Sequence, residues 1–284
     1  MSIDAHFHCW QLARGDYGWL TPALAPIYHD VTVHDWQAQS APHGVTGGVL
    51  VQAAPTEAET HFLLEQADAH PHVLGVVGWA DLLAVDAPAR IEALARHSRL
   101  KGLRPMLQDI ADAEWILQPA LAPALHAMSA CGLVFDALVK PIHLPHMLTL
   151  AGRYPDLRMV IDHAAKPDIA RGEWQPWADG MARLALDTQA MCKLSGLMTE
   201  AGPAPVRGAV TRWGEHVLAC FGAHRVVWGS DWPVLELAGS YSQWHAEAQL
   251  LLAGLSALEQ AAVMGENAVR LYGLDRLQDH AGAS

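Results

Sequence analysis

Eight short apolar segments recur along the chain and limit the folds that it can adopt. Most are separated by roughly 25 to 35 residues with helical patterns, as repeated strand–helix units require. Several are rich in valine and isoleucine without alternation, which is typical of parallel strands buried on both faces. The predicted strands are Ile3–His8, Thr46–Gln52, Val73–Trp79, Gly102–Met106, Leu133–Val139, Arg158–His163, Met191–Ser195 and Val226–Ser230. The sequence therefore predicts an α/β protein, a single (β/α)8 TIM barrel that forms one domain over residues 1–284.

Two segments near the second strand carry more specific signals. Thr56-x-x-Glu59 has the pattern of a capping box and predicts the start of a helix. The gap between the first two strands is about 40 residues, which is long for a strand–helix loop. We expect this excess to form a lid or a wall of the pocket.

Composition limits the partners and the location. Of the 284 residues, 51% are hydrophobic, which is enough for one large core. The net charge is −12 and no stretch concentrates Lys and Arg, so nucleic acid is not an expected partner. No run of 18 apolar residues predicts a membrane span, and MSIDAHFHCW lacks the pattern of a secretory signal. The four cysteines form no CxxC pair, so we expect reduced thiols in a cytoplasmic protein.

Polar and aromatic side chains stand at the predicted strand ends. The active site of a TIM barrel lies at the C-terminal ends of its strands, where such side chains converge on one mouth. These residues are His6, His8, Gln52, Trp79, Arg104, His163, Ser195 and Asp231, and His143 follows the fifth strand by a few residues. They are the candidates for the functional site.

The segment His6-Phe7-His8 ends the first predicted strand. The period of two sends both imidazoles to one face and Phe7 to the other. Two imidazoles so placed are a natural metal chelate, although a coincidence in a chain with 17 histidines is the alternative. With His163 and Asp231 they form the predicted ligand set for one divalent metal ion, with zinc as the first candidate. Catalysis without a metal is kept open.

His163 and Asp231 each have a functional and a structural interpretation. His163, in VIDHAAKP, is expected to present a third imidazole to the barrel mouth. The alternative is a capped turn in which Asp162 is its polar partner. Asp231, in VVWGSDWPV, follows Gly229, where the backbone can approach closely, and is expected to face the site. The alternative is a helix N-cap, a position that Asp commonly occupies.

Eight segments of the chain together resemble a known family. They are IDAHFHCW with DYGWL, VQAAPTEAET, GVVGWADL, KGLRPMLQD, VIDHAAKPDI, VVWGSDWPV and GENAVRLYGL. In this order they are similar to the amidohydrolase-2 branch of the amidohydrolase superfamily. Within it they most resemble the sugar-lactonase group, which includes L-fuconolactonase-like and L-rhamnonolactonase-like enzymes and 2-pyrone-4,6-dicarboxylate hydrolase. The resemblance covers essentially the whole chain. It implies a TIM barrel, hydrolysis of a lactone, and catalytic or metal-binding roles for His6, His8, His163 and Asp231.

One departure from the broader superfamily concerns the fourth strand. It offers Arg104 and no Glu or carboxylated Lys that could bridge two metals, since Lys101 lies near the start of the strand. This argues against a binuclear site. A mononuclear site and a metal-free site both remain compatible with the sequence.

Lactone hydrolysis assigns a role to each candidate. A divalent ion on His6, His8 and His163 would activate water and polarise the carbonyl. Asp231 would take the water proton and return it to the ring oxygen, with His163 as the next candidate base. Without metal, the imidazoles and Arg104 would stabilise the oxyanion. The expected substrate contacts are Trp19, Trp79 and Trp232 on the sugar ring, Gln52 and His143 on its hydroxyls, and Arg104, for which a structural ion pair is the alternative.

Three other functions fit parts of the pattern. A decarboxylase of the same superfamily would use similar metal residues on an aromatic acid. A metal-dependent phosphoesterase is disfavoured because the mouth lacks a cationic cluster. A non-catalytic barrel that binds a sugar acid would be expected to lack the acid–base residue, yet Asp231 is present. The sequence leaves the identity of the lactone and the oligomeric state open, a homo-oligomer included.

Overall fold

Eight parallel strands form one sheet in which each strand pairs with its neighbour in sequence. The computed structural model describes residues 2–274, so residues 1 and 275–284 of the predicted domain lie outside it. The strand order is β1 to β8 without a crossover. The strands are β1 Ser2–Phe7, β2 Val45–Val51, β3 Val73–Gly78, β4 Leu100–Leu103, β5 Val134–Ala137, β6 Met159–Ile161, β7 Met191–Leu194 and β8 Val226–Trp228. All eight predicted strands are confirmed, and so is the (β/α)8 barrel; the single-domain boundary of 1–284 stays a prediction.

Helices separate the strands and pack on the outside of the sheet. The α-helices are α1 Val33–Ser40, α2 Glu57–Ala69, α3 Ala87–Ala95, α4 Ala122–Ala130, α5 Leu144–Arg153, α6 Trp177–Asp187, α7 Leu197–Glu200, α8 Thr211–Phe221, α9 Tyr241–Leu252, α10 Ala257–Ala261 and α11 Asn267–Tyr272. A π-helical turn, Ala262–Glu266, connects the last two. Short 3-10 helices lie at Leu12–Arg14, Pro22–Leu24, Ala41–His43, Leu107–Asp109, Trp115–Leu117, Pro119–Leu121, Pro141–His143, Asp162–Ala165, Ala223–Arg225 and Val234–Leu237. Within residues 2–274, no helix is both long enough and apolar enough to cross a membrane.

The barrel closes between β1 and the segment that follows β8. The amide of Asp231 donates to the His6 carbonyl at 2.8 Å, and the amide of His8 donates to the Trp232 carbonyl at 2.8 Å. The interior is filled by side chains from the strands, and Leu271 and Tyr272 of α11 close its lower end. A second core lies between the strands and the surrounding helices. The two backbone hydrogen bonds that close the barrel hold the end of β1 beside Asp231.

Most of the strands end one or two residues earlier than predicted, at Phe7, Val51, Gly78, Ile161, Leu194 and Trp228. The candidate residues therefore lie just beyond the ladder hydrogen bonds, where the chain begins to diverge from its neighbours. A register shift between Asp4 and Phe7 changes which face of β1 points inward. Such a bulge re-aims a side chain: Ala5 lies in the interior core, and His6 also faces inward toward Lys193 at 3.2 Å.

The predicted capping box at α2 is only half formed. The Thr56 hydroxyl accepts from the amide of Glu59, as expected at an N-cap. The Glu59 side chain does not return to Thr56. Instead it is buried and accepts from the amides of Ala53 and Ala54. These bonds fix the loop after β2, a tertiary role that the local pattern does not predict.

Candidate active site

His6 and His8 lie side by side at the mouth of the barrel. Their Nε2 atoms are 3.2 Å apart, and Phe7 points away and stacks on Trp36. Nδ1 of His8 is 2.7 Å from the Val51 carbonyl. Because a carbonyl can only accept, Nδ1 of His8 carries a proton and donates to it, and Nε2 faces His6 and Asp231. The predicted pairing of the two imidazoles on one face is confirmed.

His163 opens a left-handed turn after β6. His163, Ala164, Ala165 and Lys166 have φ angles of 51°, 49°, 59° and 50°. This conformation costs roughly 1–2 kcal/mol for each non-glycine residue, so the surrounding structure must hold it in place. The indole of Trp177 donates to the Ala164 carbonyl at 2.6 Å. The alternative interpretation was a capped turn. The structure has a left-handed turn instead, and this turn presents the His163 imidazole to the barrel mouth.

Ser195 and Gly196 position the His163 ring from the end of β7. The Ser195 hydroxyl is 2.9 Å from Nδ1 of His163. A Cβ atom at Gly196 would lie 2.8 Å from that ring, and the φ of Gly196 is +67°. Glycine is therefore required here twice, for its conformation and for its lack of a side chain.

Asp231 completes the cluster from the segment after β8. Its Oδ1 atom lies 3.4 Å from Nε2 of His8 and 3.7 Å from Nε2 of both His6 and His163. The residue itself has a φ of 58°, a conformation that Asp and Asn adopt more readily than most residues. The amide of Leu235 bonds to the backbone carbonyl of Asp231 rather than to its carboxylate. The carboxylate faces the three imidazoles and caps no helix, so the N-cap alternative is wrong.

Burial and neighbouring charges set the ionisation of this cluster. Burial lowers the pKa of His163 to about 4, even though Asp231 and Asp162 oppose the shift. Burial, followed by the charge of Lys193, lowers the pKa of His6 well below its usual range. Burial would raise the pKa of Asp231, but His163 and His8 more than offset this and lower it to about 2. At neutral pH the site therefore contains neutral His6 and His163 and an ionised Asp231.

Three of the four predicted metal ligands form one compact group. The ligand atoms of His6, His163 and Asp231 all lie within 4.8 Å of one another. His8 adjoins this group through its contacts with His6 and Asp231. Two neutral imidazoles and one carboxylate are a donor set that suits zinc and related divalent ions. By the chemistry of these donors, the residues fit one divalent cation.

Arg104 and Gln52, both predicted to contact substrate, are bonded to each other. Arg104 Nε donates to Gln52 Oε1 at 3.0 Å, and Nη2 also bonds to the Gln52 backbone carbonyl. Arg104 Nη1 lies 3.4 Å from Asp162 and 3.3 Å from Nε2 of His6. Arg104 therefore forms the structural ion pair that was the alternative, and it also lines the cavity at the mouth. Gln52 is fully buried behind it.

A buried charged cluster below the histidines was missed by the sequence analysis. Lys193 Nζ lies 2.5 Å from Asp136, 3.0 Å from Asp162 and 3.2 Å from Nδ1 of His6. Tyr272 donates to Asp136 at 2.8 Å. The position of Lys193 in β7 could have indicated this cluster. The period of two along a strand places Lys193 on the same inward face as Met191. Buried charges are stable only when they are paired, and here Lys193 is paired with both aspartates. Because its ammonium also contacts Nδ1 of His6, the cluster supports that ring from beneath.

Asp4 forms a second support that sequence reasoning missed. Its carboxylate accepts from the amide of Ser230 at 2.8 Å and from the Ser230 hydroxyl at 2.6 Å. The indole of Trp36 and the phenol of Tyr241 donate to the same carboxylate. These bonds connect β1 to the residue before Asp231 and fix the backbone that carries the carboxylate.

A cavity of about 250 Å³ opens over the imidazoles. It is lined by His8, Trp19, Leu24, Ala53, Arg104, Met106, Gln108, Asp109, Leu138, His163, Lys166, Asp231, Val234 and Leu237. Trp19 and Leu24 come from the long segment between β1 and β2, so the predicted pocket wall is confirmed. The indole of Trp19 donates to the Ala53 carbonyl at 2.7 Å, which holds this wall against the loop after β2.

Other predicted substrate contacts are not among the residues that line this cavity. Trp79 lies beside α2, where its backbone bonds to Thr60. His143 is buried and its Nδ1 contacts the backbone of Lys140. The buried indole of Trp232 donates to Glu236 at 2.7 Å. A larger cavity of about 610 Å³ lies at the opposite end of the barrel and contains none of the predicted site residues.

Comparisons with known proteins agree with this geometry. A family model described as amidohydrolase matches residues 3–274. The chain is 48% identical to an L-fucono-1,5-lactonase of Burkholderia ambifaria, with 96% of each chain covered, and 32% identical to an L-fucono-1,5-lactonase of Burkholderia multivorans, with 98% of each covered. The crystal structure of an amidohydrolase from Burkholderia multivorans with bound zinc superposes with a TM-score of 0.89 at 32% identity. The match covers 96% of this chain and 99% of that one. On these matches and on the arrangement of its barrel mouth, this chain belongs to the amidohydrolase family.

Proposed function

We propose that this protein is a hydrolase that opens the lactone ring of a sugar acid, with L-fucono-1,5-lactone as the first candidate. The observation that carries the proposal is the convergence of three imidazoles on the Asp231 carboxylate beneath a small cavity. The similarity to L-fucono-1,5-lactonases supports the choice of substrate. Such an enzyme is a carboxylic ester hydrolase, because a lactone is a cyclic ester.

Asp231 moves the proton in the proposed reaction. Its carboxylate accepts a proton from the attacking water while the oxygen of that water bonds to the lactone carbonyl carbon. When the bond from this carbon to the ring oxygen breaks, Asp231 returns the proton to that oxygen. The product is a hydroxy acid, which ionises at neutral pH and releases one proton to solvent. The low pKa of Asp231 keeps the carboxylate in the ionised form that accepts a proton.

His6, His163 and Asp231 hold one divalent metal ion in this proposal, and zinc is the first candidate. When bound, such an ion would act as a Lewis acid and lower the pKa of a bound water. The donor set supports this, because both imidazoles are neutral near pH 7, and neutral imidazole is the form that binds a metal ion. The zinc found in the amidohydrolase from Burkholderia multivorans supports the same choice.

Arg104 and Trp19 are proposed to hold the substrate. Arg104 lines the cavity with a guanidinium that is fixed by Gln52, so its positive charge stabilises negative charge that develops on the carbonyl oxygen. Trp19 offers an apolar face to the sugar ring from the wall. Direct contacts from Gln52, Trp79, His143 and Trp232 stay predictions.

The cellular location, the partners and the oligomeric state of the protein are also proposals. All four cysteines are free, as a reducing cytoplasm would require. The expected partner is the small lactone, with neither nucleic acid nor membrane involved. A homo-oligomer stays among the predictions.

A hydrolysis screen tests the proposed function. Purified, metal-analysed protein is mixed with aldonolactones, including L-fucono-1,5-lactone, and proton release is followed with a pH indicator. Release well above the spontaneous rate is expected for at least one sugar lactone. Carbon dioxide release from aromatic acids without lactone hydrolysis would favour the decarboxylase instead. Binding of a sugar acid without turnover would favour the non-catalytic barrel, and release of phosphate from a phosphoester would favour the phosphoesterase.

A further inference from the structure

The left-handed turn after β6 has a consequence beyond the position of His163. Four consecutive residues hold a conformation that disfavours ordinary side chains, and the last of them is Lys166. The side chain of Lys166 lines the cavity above the imidazoles and also a wider vestibule of about 770 Å³ outside it. The turn therefore delivers an ammonium group to the junction of the two spaces.

Glu200 faces Lys166 across this junction. Lys166 Nζ and Glu200 Oε1 are 3.6 Å apart, and each side chain is 25% exposed. This separation is too long for a direct hydrogen bond, so the pair attracts electrostatically while both groups keep their hydrogen-bonding capacity. A hydroxyl group suits such a pair, because its oxygen can accept from the ammonium while its hydrogen donates to the carboxylate.

Two further polar atoms beside the pair have no hydrogen-bond partner among the described residues. They are Oε1 of Gln108, which lines both spaces, and Oγ1 of Thr199, which lines the vestibule. Both atoms are buried, and both are able to accept a hydrogen bond from a ligand. Buried polar atoms are costly when unpaired, so donors on a ligand would be favoured here. The surroundings thus match a ligand with several hydroxyls.

The charges of the junction distinguish a hydroxyl from an anion. Lys166 and Glu200 cancel, and Asp231 adds a negative charge close by, which contributes to raising the pKa of Glu200. Burial is the larger cause of that shift. The other charged residues that line the two spaces balance in number: Arg104, Lys140 and Arg171 against Asp109, Asp168 and Glu173. A carboxylate at the junction would gain from Lys166 and lose to Glu200 and Asp231. A neutral polyhydroxylated molecule avoids this repulsion.

We propose that Lys166 and Glu200 form a hydroxyl-binding pair that selects polyhydroxylated lactones over lactones without hydroxyls. This inference rests on the proposed lactonase function and assigns its specificity. Sites that hydrogen-bond a substrate hydroxyl discriminate strongly against analogues that lack it, because their polar groups are then left unpaired. The pair acts by binding the substrate and takes no part in moving the proton.

The test compares two substrates in a set of variants. L-fucono-1,5-lactone, or another aldonolactone that the wild type turns over, is compared with δ-valerolactone, which has no hydroxyls. Lys166→Met and Glu200→Ala are each expected to lower the ratio of the two kcat/KM values by about 10- to 100-fold, mainly through KM for the hydroxylated lactone. The double variant should lose little more than either single one, because the two residues act on the same hydroxyl. Glu200→Gln, which keeps an acceptor, should recover part of the loss.

Controls separate specificity from folding. Arg183→Met and Asp187→Asn remove an exposed ion pair of 3.2 Å on α6, outside the barrel, and should leave the ratio unchanged. Melting temperatures of all variants check that the turn is intact. If the wild type does not turn over δ-valerolactone, its inhibition constant replaces its kcat/KM in the ratio.

The outcomes are distinct. An unchanged ratio in correctly folded Lys166→Met and Glu200→Ala proteins would overturn the inference, as would equal losses on both substrates. The proposed function would still stand in either case, because the wild type hydrolyses the sugar lactone. If the wild type hydrolyses no lactone at all, the proposed function fails first.

Discussion

The Oδ1 atom of Asp231 lies 3.7 Å from Nε2 of His163, although the two residues follow different strands. Both have positive φ angles, and both are held by neighbours that keep their side chains over the barrel mouth. Asp231 gains its position from the closure of the barrel, and His163 gains its position from Ser195 and Gly196. The reactive pair therefore depends on the backbone around it as much as on its own residue types.

Gly196→Ala tests the close approach of the backbone to the His163 ring. The new Cβ would lie 2.8 Å from the ring, so the imidazole must move. Displacement of a reacting group by about 1 Å can cost on the order of 100-fold, and we expect a loss of that size in kcat. Gly15→Ala is the matched control, since Gly15 has a φ of +73° and nothing within 4 Å of its Cβ position. Both variants should lose similar stability in urea unfolding, and equal activity in the two would contradict the assignment.

Acid should destabilise the metal-free protein through His163. Its pKa is about 4 in the folded protein and about 6.5 when unfolded, so the unfolded chain binds more protons between these values. This contribution to stability is fully present above about pH 6.5 and lost as the pH falls toward 4, and it amounts to about 3 kcal/mol.

The measurement is the free energy of unfolding in urea from pH 7 to pH 4, with chelator present. His163→Asn should reduce the dependence, because Asn does not titrate and tolerates a positive φ. The part that remains is expected from His6, whose pKa is also lowered by burial. His61→Asn, at an exposed position of α2, should retain the full dependence. A wild type whose stability is constant over this range would show that burial does not lower the pKa of His163 or of His6.

Lys193→Met tests the buried cluster beneath His6. The substitution leaves Asp136 and Asp162 without the ammonium that lies 2.5 Å and 3.0 Å away. Removing one partner of a buried ion pair typically costs about 3–5 kcal/mol, and we expect a loss of that order in the free energy of unfolding. Adding Asp136→Asn should restore part of the stability, because one buried charge is removed with its partner. If Lys193→Met alone is as stable as the wild type, then Asp136 and Asp162 do not need the Lys193 ammonium to be buried.

Removal of the metal tests the proposed ligand set. Dialysis against a chelator should abolish lactone hydrolysis, and one equivalent of zinc per chain should restore it. His163→Asn should lower the bound zinc measured by elemental analysis, whereas His61→Asn should bind as much as the wild type. Full activity in a protein with no detectable metal would instead assign the stabilisation of the oxyanion to Arg104 and the imidazoles.

The sequence is sufficient to predict the barrel and the four residues that meet at its mouth. Strand period, spacing and the rule that strand ends converge predict that His6, His8, His163 and Asp231 meet. The local patterns do not predict that four residues from His163 to Lys166 are left-handed, because no glycine marks the turn. They also do not reveal the partners of Lys193, which lie on other strands. Trp232 was expected in the pocket from its position alone, but its indole is buried against Glu236.

The turnover of an Asp231→Asn variant decides whether this carboxylate moves the proton. Asn has nearly the same size and tolerates the φ of 58°, but it cannot accept the proton of water. We predict that kcat for L-fucono-1,5-lactone falls by about 10²- to 10⁴-fold with the melting temperature preserved, as expected for a general acid–base group. Metal content is measured in the same samples, so that loss of a ligand is separated from loss of the base. Near-wild-type turnover at normal metal content would contradict the account and would leave His163 as the next candidate base.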